Sequence, residues 1–197
     1  MGKLYYYHGT MASAKSATLL MKAHQFETTG EKCILLKPSF DTRTHGTIKS
    51  RIGLEKECAL IAQGDNLYQV IGNYVRLYGY RYVFIDEVQF LTKEQIFQLW
   101  RLTRNRSFNI SIFAFGLKTD YMNKLFGASS ELLIMADDVH ELKSMCKFCS
   151  KKATTHLRVV DGVVIKSGEQ NIVGDNVGEE RYISVCQDCF HEPPKSL

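Results

Sequence analysis

The sequence predicts an α/β protein in which helices cover a mostly parallel β-sheet. Over the first two thirds of the chain, short apolar runs rich in β-branched or aromatic residues alternate with segments that carry apolar residues at helical spacing. A chain of 197 residues, 45% of them hydrophobic, can bury a substantial core. We therefore expect one main folded domain, with room for a small second one.

Five strands and three helices are predicted in this first region. The strands are Leu4–Tyr7, Cys33–Leu36, Ala59–Ala62, Tyr82–Ile85 and Ile110–Phe115. The helices are Ser16–Glu27, Asn66–Tyr78 and Thr92–Asn105, the last opening with the capping-box pattern Thr92-Lys93-Glu94-Gln95. Gly30 and Gly79 lie where helices are expected to end. The polar segment Pro38–Gly53 shows no sustained period and is predicted to be a long loop beside the sheet.

The pattern changes in the last quarter of the chain. A cysteine pair is followed by the strand-like Thr155–Val160, the turn signal Asp161-Gly162, another apolar run and a second cysteine pair. We place a domain boundary near Ser144, which divides the chain into an α/β domain at 1–143 and a smaller domain with the two cysteine pairs at 144–197.

Charge and hydropathy exclude several functional classes. The 25 basic and 21 acidic residues give a net charge of +4, which is too small for a nucleic-acid-binding signature. The N-terminus lacks the apolar run of a signal peptide, and no segment approaches the roughly 20 apolar residues of a membrane span. We expect a cytoplasmic protein that binds neither membranes nor nucleic acid.

A phosphate-binding loop is predicted between the first strand and the first helix. The run Gly9-Thr10-Met11-Ala12-Ser13-Ala14-Lys15-Ser16 matches G-x-x-x-x-G-K-[ST] except that Ala14 replaces the second glycine. In such a loop, backbone N–H groups hold the phosphates of ATP, Lys15 reaches the β- and γ-phosphates, and Ser16 ligates Mg²⁺. The alternative is an ordinary strand-to-helix turn with a lysine in its first helical turn.

Two carboxylates follow the fourth predicted strand. In Val83-Phe84-Ile85-Asp86-Glu87 an apolar strand ends in an acidic pair, as expected where the C-terminal edge of a sheet faces a bound Mg-nucleotide. Asp86 is expected to hold Mg²⁺ through water. Glu87 is expected to take the proton from a hydroxyl that attacks the γ-phosphorus. The alternative is a solvated acidic pair at a strand end.

Two C-x-x-C pairs predict a structural zinc site. The four cysteines are Cys146, Cys149, Cys186 and Cys189, with 36 residues between the pairs. A cytoplasmic protein keeps its thiols reduced, and four thiolates close the zinc coordination sphere, so this metal takes no part in bond-making. Redox dithiols or disulfides are the alternative. Cys33 and Cys58 lie in or next to predicted strands and are interpreted as buried thiols.

Several ordered motifs, taken together, resemble one enzyme family. Besides the phosphate loop and the cysteine pairs, they are Asp41-Thr42-Arg43, Ser50-Arg51-Ile52-Gly53-Leu54, Asp86-Glu87-Val88-Gln89-Phe90, Gly116-Leu117-Lys118-Thr119-Asp120-Tyr121, Leu125-Phe126-Gly127 and Tyr182-Ile183-Ser184-Val185-Cys186. Their order along essentially the whole chain resembles the thymidine kinase family of human cytosolic and many bacterial enzymes.

The resemblance implies a RecA-like P-loop nucleotide-binding domain and a small zinc-ribbon-like domain whose lasso loop closes over thymidine. It implies transfer of the ATP γ-phosphate to the 5′-hydroxyl of thymidine, or of deoxyuridine, which gives dTMP. Family members are usually tetramers inhibited by the end product dTTP, so a homotetramer with dTTP feedback is expected. The lasso of this chain reads Ile172–Gly178, where relatives commonly have a shorter stretch with paired glycines.

By position, the resemblance assigns Glu87 as the base, Arg43 as a stabiliser of the transferred charge, and Asp41 as a polar residue near the metal. Gln89 joins the expected ATP and Mg²⁺ site. The expected walls of the base pocket are Met11, Phe90, Leu117, Tyr121 and Phe126, with Tyr182 closing the slot from the lasso. An aromatic slot suits a flat base, although the same residues could simply belong to the core.

Two other functions account for part of the sequence. A non-catalytic nucleotide-binding homologue would have a phosphate loop weakened by Ala14. A nucleic-acid-binding ATPase with a zinc ribbon would need a basic, aromatic-studded surface, for which the lysines near the cysteine pairs give little support. The joint presence of Lys15, Ser16, Asp86 and Glu87 with the aromatic slot favours an active deoxynucleoside kinase.

Overall fold

The computed structural model describes residues 2–41, 46–168, 170 and 180–194. In chain order, the elements of the first region are β1 (Leu4–His8), α1 (Lys15–Thr28), β2 (Cys33–Pro38), β3 (Thr47–Lys49), β4 (Glu55–Glu57), β5 (Ala59–Ile61), α2 (Leu67–Tyr78), β6 (Tyr82–Ile85), a 3₁₀ turn (Val88–Phe90), α3 (Lys93–Arg104), β7 (Ser111–Gly116), α4 (Gly127–Met135) and β8 (Asp138–Glu141). Those of the second region are β9 (Ser144–Met145), β10 (Lys152–Ala153), β11 (Thr155–Val160), β12 (Val163–Ile165), β13 (Arg181–Val185) and α5 (Gln187–His191).

Six parallel strands form the central sheet, in the order β5-β2-β6-β7-β1-β8. Alternate side chains of the inner strands enter two separate cores. Val83 and Ile85 pack in the core that contains α2, α3 and α4, whereas Phe84 packs in the core that contains α1. Helices therefore cover both faces, and the predicted α/β fold class is confirmed.

The strand order also determines where a ligand can bind. β6 and β1 are separated only by β7, and all three run in the same direction. The segments that follow β1 and β6 therefore emerge side by side at the C-terminal edge of the sheet, where open α/β sheets bind their ligands.

All five predicted strands and three predicted helices are present, with ends shifted by at most two residues. The Thr92 capping box is formed, and Gly79 ends α2 in a left-handed conformation with φ 73°. The prediction of a continuous loop over Pro38–Gly53 was wrong at Thr47–Lys49, because these residues pair with the exposed Glu55–Glu57 as a hairpin. Such a strand is stabilised by pairing and carries no apolar pattern.

The second region builds two small sheets, β10-β9 and β12-β11-β13. Asp161 and Gly162 both have positive φ, 50° and 77°, and join β11 to β12 as the turn signal predicted. Leu157, Val159 and Val185 form a separate small core with the cysteines. The predicted lasso at Ile172–Gly178 lies outside the described residues. Within the described part of the chain, no helix has the length and apolar character needed to cross a membrane.

Candidate active site

The phosphate loop connects β1 to α1, as the sequence predicted, and two of its residues have unusual backbone conformations. Ala12 and Ala14 both have φ 61°, and Ala14 is the residue that precedes α1. Gly9 is required for a different reason: a Cβ there would lie 2.3 Å from Ser13 Oγ and 2.6 Å from the Leu142 carbonyl. The loop therefore combines one position that needs glycine with two left-handed positions occupied by alanine.

Lys15 folds back over this loop. Its Nζ donates a 2.8 Å hydrogen bond to the Thr10 carbonyl, and its side chain is buried. The lysine stands at the first turn of α1, where backbone N–H groups without helical partners and the helix dipole favour anions. The loop has the charge and the donors needed to bind phosphate groups.

Ser16 and Asp86 join the phosphate loop to the end of β6. Ser16 Oγ donates a 2.7 Å hydrogen bond to Asp86 Oδ2, although the two residues are 70 positions apart. Burial raises the pKa of Asp86, as does the neighbouring charge of Glu87, while Ser16 and Lys15 act in the opposite direction. A hydroxyl and a carboxylate oxygen in contact are suitable Mg²⁺ ligands, because this hard cation prefers oxygen.

Glu87 is held by the side chain of Gln89. The glutamate has a left-handed backbone with φ 50°, and its Oε2 accepts a 2.6 Å hydrogen bond from Gln89 Nε2. The other end of the same amide, Gln89 Oε1, accepts from the Leu117 backbone N–H at 3.0 Å. Gly116 allows this approach, since a Cβ there would lie 2.5 Å from Gln89 Oε1.

A cavity of about 600 Å³ opens between these groups and the second region. Fifteen of the predicted site residues line it. The lining ones are Met11, Ala12, Ser13, Ala14, Lys15, Ser16, Asp41, Asp86, Glu87, Gln89, Phe90, Leu117, Tyr121, Phe126 and Tyr182. Thr10, also in the loop, accepts the Lys15 hydrogen bond with its carbonyl. Arg43 lies outside the described residues.

The aromatic residues form a slot at one end of this cavity. Phe90 and Phe126 meet edge to face with ring centroids 6.3 Å apart, and Tyr121 is 3% exposed. Leu117 is fixed through its carbonyl, which accepts hydrogen bonds from Ser129 Oγ at 2.6 Å and Tyr6 OH at 3.1 Å. The aromatic lining suits a flat heterocycle.

The polar residues of the cavity that were not assigned to the site from the sequence include Lys37, Asp120, His156 and Gln170. Lys37 is 1% exposed and lies 3.4 Å from Asp41 Oδ2. Asp120 accepts hydrogen bonds from two backbone N–H groups and from Gln170 Nε2, and His156 lies against Tyr182. A lysine inside an apolar strand was the available signal for Lys37. Asp120 belongs to the motif Gly116–Tyr121, whereas no local pattern marks His156 or Gln170, which only the tertiary fold brings to the cavity.

The four cysteines of the two C-x-x-C pairs come together. Their sulfurs all lie within 4.8 Å of one another, with 3.7 Å between Cys149 and Cys186 and 3.9 Å between Cys189 and Cys149. A tetrahedral zinc ion with Zn–S bonds of about 2.3 Å holds its sulfurs about 3.8 Å apart. The donor set and its spacing therefore fit a four-thiolate zinc site.

Comparison with known proteins gives a consistent result. The family model for thymidine kinase matches residues 2–190. The chain is 38% identical over 195 residues to the thymidine kinase of Lactococcus lactis subsp. lactis, covering 98% of this chain and 99% of that protein. Thymidine kinases of Streptococcus pyogenes and Streptococcus agalactiae match with the same identity and coverage.

Proposed function

This chain belongs to the thymidine kinase family, and from that membership we propose that it transfers the γ-phosphate of ATP to the 5′-hydroxyl of thymidine, giving dTMP and ADP. The observation that carries the proposal is the 2.7 Å hydrogen bond between Ser16 and Asp86. This bond joins the phosphate loop to the end of β6, where Asp86 precedes Glu87. The loop and Glu87 therefore line one side of the cavity, and the aromatic slot lines the other.

In the proposed reaction, Glu87 is the general base. The 5′-oxygen of thymidine forms a bond to the γ-phosphorus as the bond to the β-γ bridging oxygen breaks, and ADP leaves. Glu87 accepts the 5′-hydroxyl proton, so the attacking oxygen does not keep a positive charge. The Gln89 hydrogen bond to Glu87 Oε2 limits the rotation of the carboxylate and orients it for this transfer.

The phosphate loop binds and orients ATP in this proposal. Its N–H groups and Lys15 would hold the β- and γ-phosphates, and Ser16 and Asp86 would hold Mg²⁺. Mg²⁺, when bound, neutralises charge on the phosphates. We assign Asp41 a supporting role beside the metal and Arg43 the stabilisation of the transferred group; the second assignment rests on the sequence motif alone.

The nucleoside base binds in the aromatic slot. Met11, Phe90, Leu117, Tyr121 and Phe126 form the walls and Tyr182 covers the opening. Gln89 links Glu87 to the Leu117 backbone, so the Glu87 carboxylate stays at a constant distance from the slot. A nucleoside bound in the slot would present its 5′-hydroxyl toward the carboxylate, and thymidine and deoxyuridine are the substrates this arrangement favours.

The zinc ion is proposed to be structural. Four thiolates leave no open position for substrate, so the role of the metal is to hold the two cysteine pairs, and the lasso between them, together. We further propose two domains, at 1–143 and 144–197, and assembly into a homotetramer. Feedback inhibition is proposed to come from dTTP bound in the same cavity. We also propose a cytoplasmic location, which suits six reduced thiols.

The test is an ATP-dependent phosphorylation assay of the purified protein with the four deoxynucleosides and deoxyuridine. We expect turnover of thymidine and deoxyuridine, and little with the purine deoxynucleosides. Binding of thymidine or dTTP without turnover at saturating Mg-ATP would contradict the proposal and leave a nucleotide-binding protein. Neither the structure nor the comparisons favour that alternative.

A further inference from the structure

Two serines of the second region contact the phosphate loop from outside the cavity. Ser184, in β13, donates a 2.6 Å hydrogen bond from its Oγ to the Met11 carbonyl. Ser144, in β9, has its hydroxyl oxygen 2.6 Å from that of Thr10, and the two share a hydrogen bond. The loop is thus bonded at two consecutive residues by a part of the chain more than 130 positions away.

The two serines hold equivalent places in the second region. Ser144 lies two residues before Cys146, and Ser184 lies two residues before Cys186. Each serine therefore stands at the entrance to one of the cysteine pairs. Moving either pair would move the serine that precedes it.

Ser184 is itself held in place by its neighbours. Its carbonyl accepts a 3.0 Å hydrogen bond from the Lys147 N–H, which belongs to the other cysteine pair. In the sheet it pairs with His156 of β11, and the next residue, Val185, is fully buried. The hydroxyl of Ser184 is therefore presented to Met11 by a rigid strand that both cysteine pairs support.

The two serines form their hydrogen bonds next to the part of the loop whose backbone is strained. Met11 precedes Ala12, which has φ 61°, and Ala14 has the same angle. Left-handed conformations are unfavourable for alanine because its Cβ approaches backbone oxygen atoms, so surrounding contacts must maintain them. The hydrogen bond from Ser184 orients the peptide group between Met11 and Ala12 and so opposes relaxation of the loop.

We infer that Ser184, supported by Ser144, is a positioning residue for ATP: it holds the phosphate loop in its left-handed, phosphate-binding shape from the metal-binding region. This inference rests on the proposed function, since it assigns the loop to ATP. The serines do not touch the nucleotide themselves. They act through the backbone of Met11 and Thr10, and the cysteine pairs determine where the serines stand.

The experiment is calorimetric titration of the zinc-loaded protein with Mg-ADP and, separately, with thymidine. Ser184→Ala should weaken Mg-ADP binding about three- to tenfold, the range expected for one lost hydrogen bond. Zinc content should stay unchanged, and thymidine affinity should fall less than ADP affinity, because Met11 also forms part of the slot wall. Ser184→Thr, which keeps the hydroxyl and suits a strand, should restore most of the ADP affinity, and Ser144→Ala should give a smaller loss than Ser184→Ala.

A matched control and a compensating variant complete the test. Ser150→Ala removes an exposed hydroxyl beside Cys149 and should leave ADP affinity as it is. Ala12→Gly removes the backbone strain at this position, so the loop depends less on the Ser184 hydrogen bond. Adding Ser184→Ala to Ala12→Gly should therefore reduce ADP affinity less than Ser184→Ala alone does. If steady-state kinetics can be measured, Ser184→Ala should raise the KM for ATP more than it lowers kcat.

Equal ADP affinity of Ser184→Ala and the unsubstituted protein overturns the inference, as does equal loss of ADP and thymidine affinity, which would mean general damage to the fold. If Ser184→Ala does not fold, Ser144→Ala decides the question in the same way. Absence of kinase activity in the unsubstituted protein would contradict the proposed function alone, because the ADP titration does not depend on turnover.

Discussion

The Gln89 side chain holds the Glu87 carboxylate by a 2.6 Å hydrogen bond from Nε2 to Oε2, while its own oxygen accepts from the backbone N–H of Leu117. The Gln89 amide thus fixes both Glu87, the proposed general base, and Leu117, a wall of the slot for the nucleoside. The arrangement depends on Gly116, where any side chain would displace the Gln89 oxygen. Rigid support of this kind keeps a catalytic group within reach of its substrate.

Replacement of Glu87 by Gln should separate binding from chemistry. The amide has the shape of the carboxylate and cannot accept the proton, so turnover should fall by about 10²–10⁴-fold with thymidine affinity nearly unchanged. Single-turnover rates and thymidine titration measure the two effects. Glu94→Gln, at an exposed position of α3, is the control and should behave normally. Near-normal turnover of Glu87→Gln would remove Glu87 as the base.

Ala14→Gly should improve ATP binding. In the structure, Ala14 has a left-handed backbone with φ 61°. A left-handed alanine costs roughly 1–2 kcal/mol, so the glycine variant should lower the KM for ATP by up to about tenfold and leave that for thymidine unchanged.

Ala23→Gly is the matched control for Ala14→Gly. It lies inside α1, where glycine lowers helix stability by about 1 kcal/mol and should not change the KM for ATP. An unchanged or higher KM for ATP in Ala14→Gly would show that the alanine methyl group is not what limits the loop.

Metal analysis should find one zinc per chain in reduced protein. Cys146→Ser or Cys186→Ser should lose the metal and unfold the second region first, because zinc binding contributes of order 10 kcal/mol to the segment it organises. Hydrogen exchange resolved by region measures this order of unfolding.

Cys58→Ser is the control for the zinc ligands and should keep the zinc. Burial raises the pKa of the Cys58 thiol to about 11, so it remains protonated near neutral pH. Freshly prepared, reduced protein without zinc would contradict the four-thiolate site, and loss of zinc from Cys58→Ser would contradict the assignment of its ligands.

His156 should make the protein less stable in mild acid. Burial, and to a smaller extent the charge of Lys15, lower the pKa of His156 to about 4, although Asp120 acts in the opposite direction. Between about pH 4 and 6.5 the unfolded chain binds a proton at this residue and the folded one does not, so stability falls as pH falls. From pH 7 to pH 5 the loss should be about 2 kcal/mol.

Urea unfolding at the two pH values measures this effect. His156→Gln should reduce the difference in unfolding free energy between pH 7 and pH 5, whatever its effect on stability at pH 7. His24→Gln, at an exposed position of α1, should leave the difference unchanged. Equal pH dependence of His156→Gln and the unsubstituted protein would show that His156 does not titrate as described.

Local patterns in the sequence determined the frame of this protein. Apolar periodicity located the five strands and three helices, and the spacing of the phosphate loop and of the cysteine pairs identified the groups that meet in the cavity and the metal centre. These features are encoded by residues close together in the chain. Strand β8 and the hairpin strand β3 were not recognised, because each is stabilised by pairing with another strand and has no apolar pattern of its own.

Only the tertiary structure decided how the site is held together. The contacts of Ser16 with Asp86, Gln89 with Leu117 and Ser184 with Met11 join residues 70, 28 and 173 positions apart. Their existence depends on which strands are neighbours in the sheet. The tertiary structure also decided the left-handed backbone at Ala14, because alanine does not favour this conformation and the surrounding contacts impose it. Sequence spacing can therefore name the chemical groups of a site, whereas packing between distant segments sets their distances and their strain.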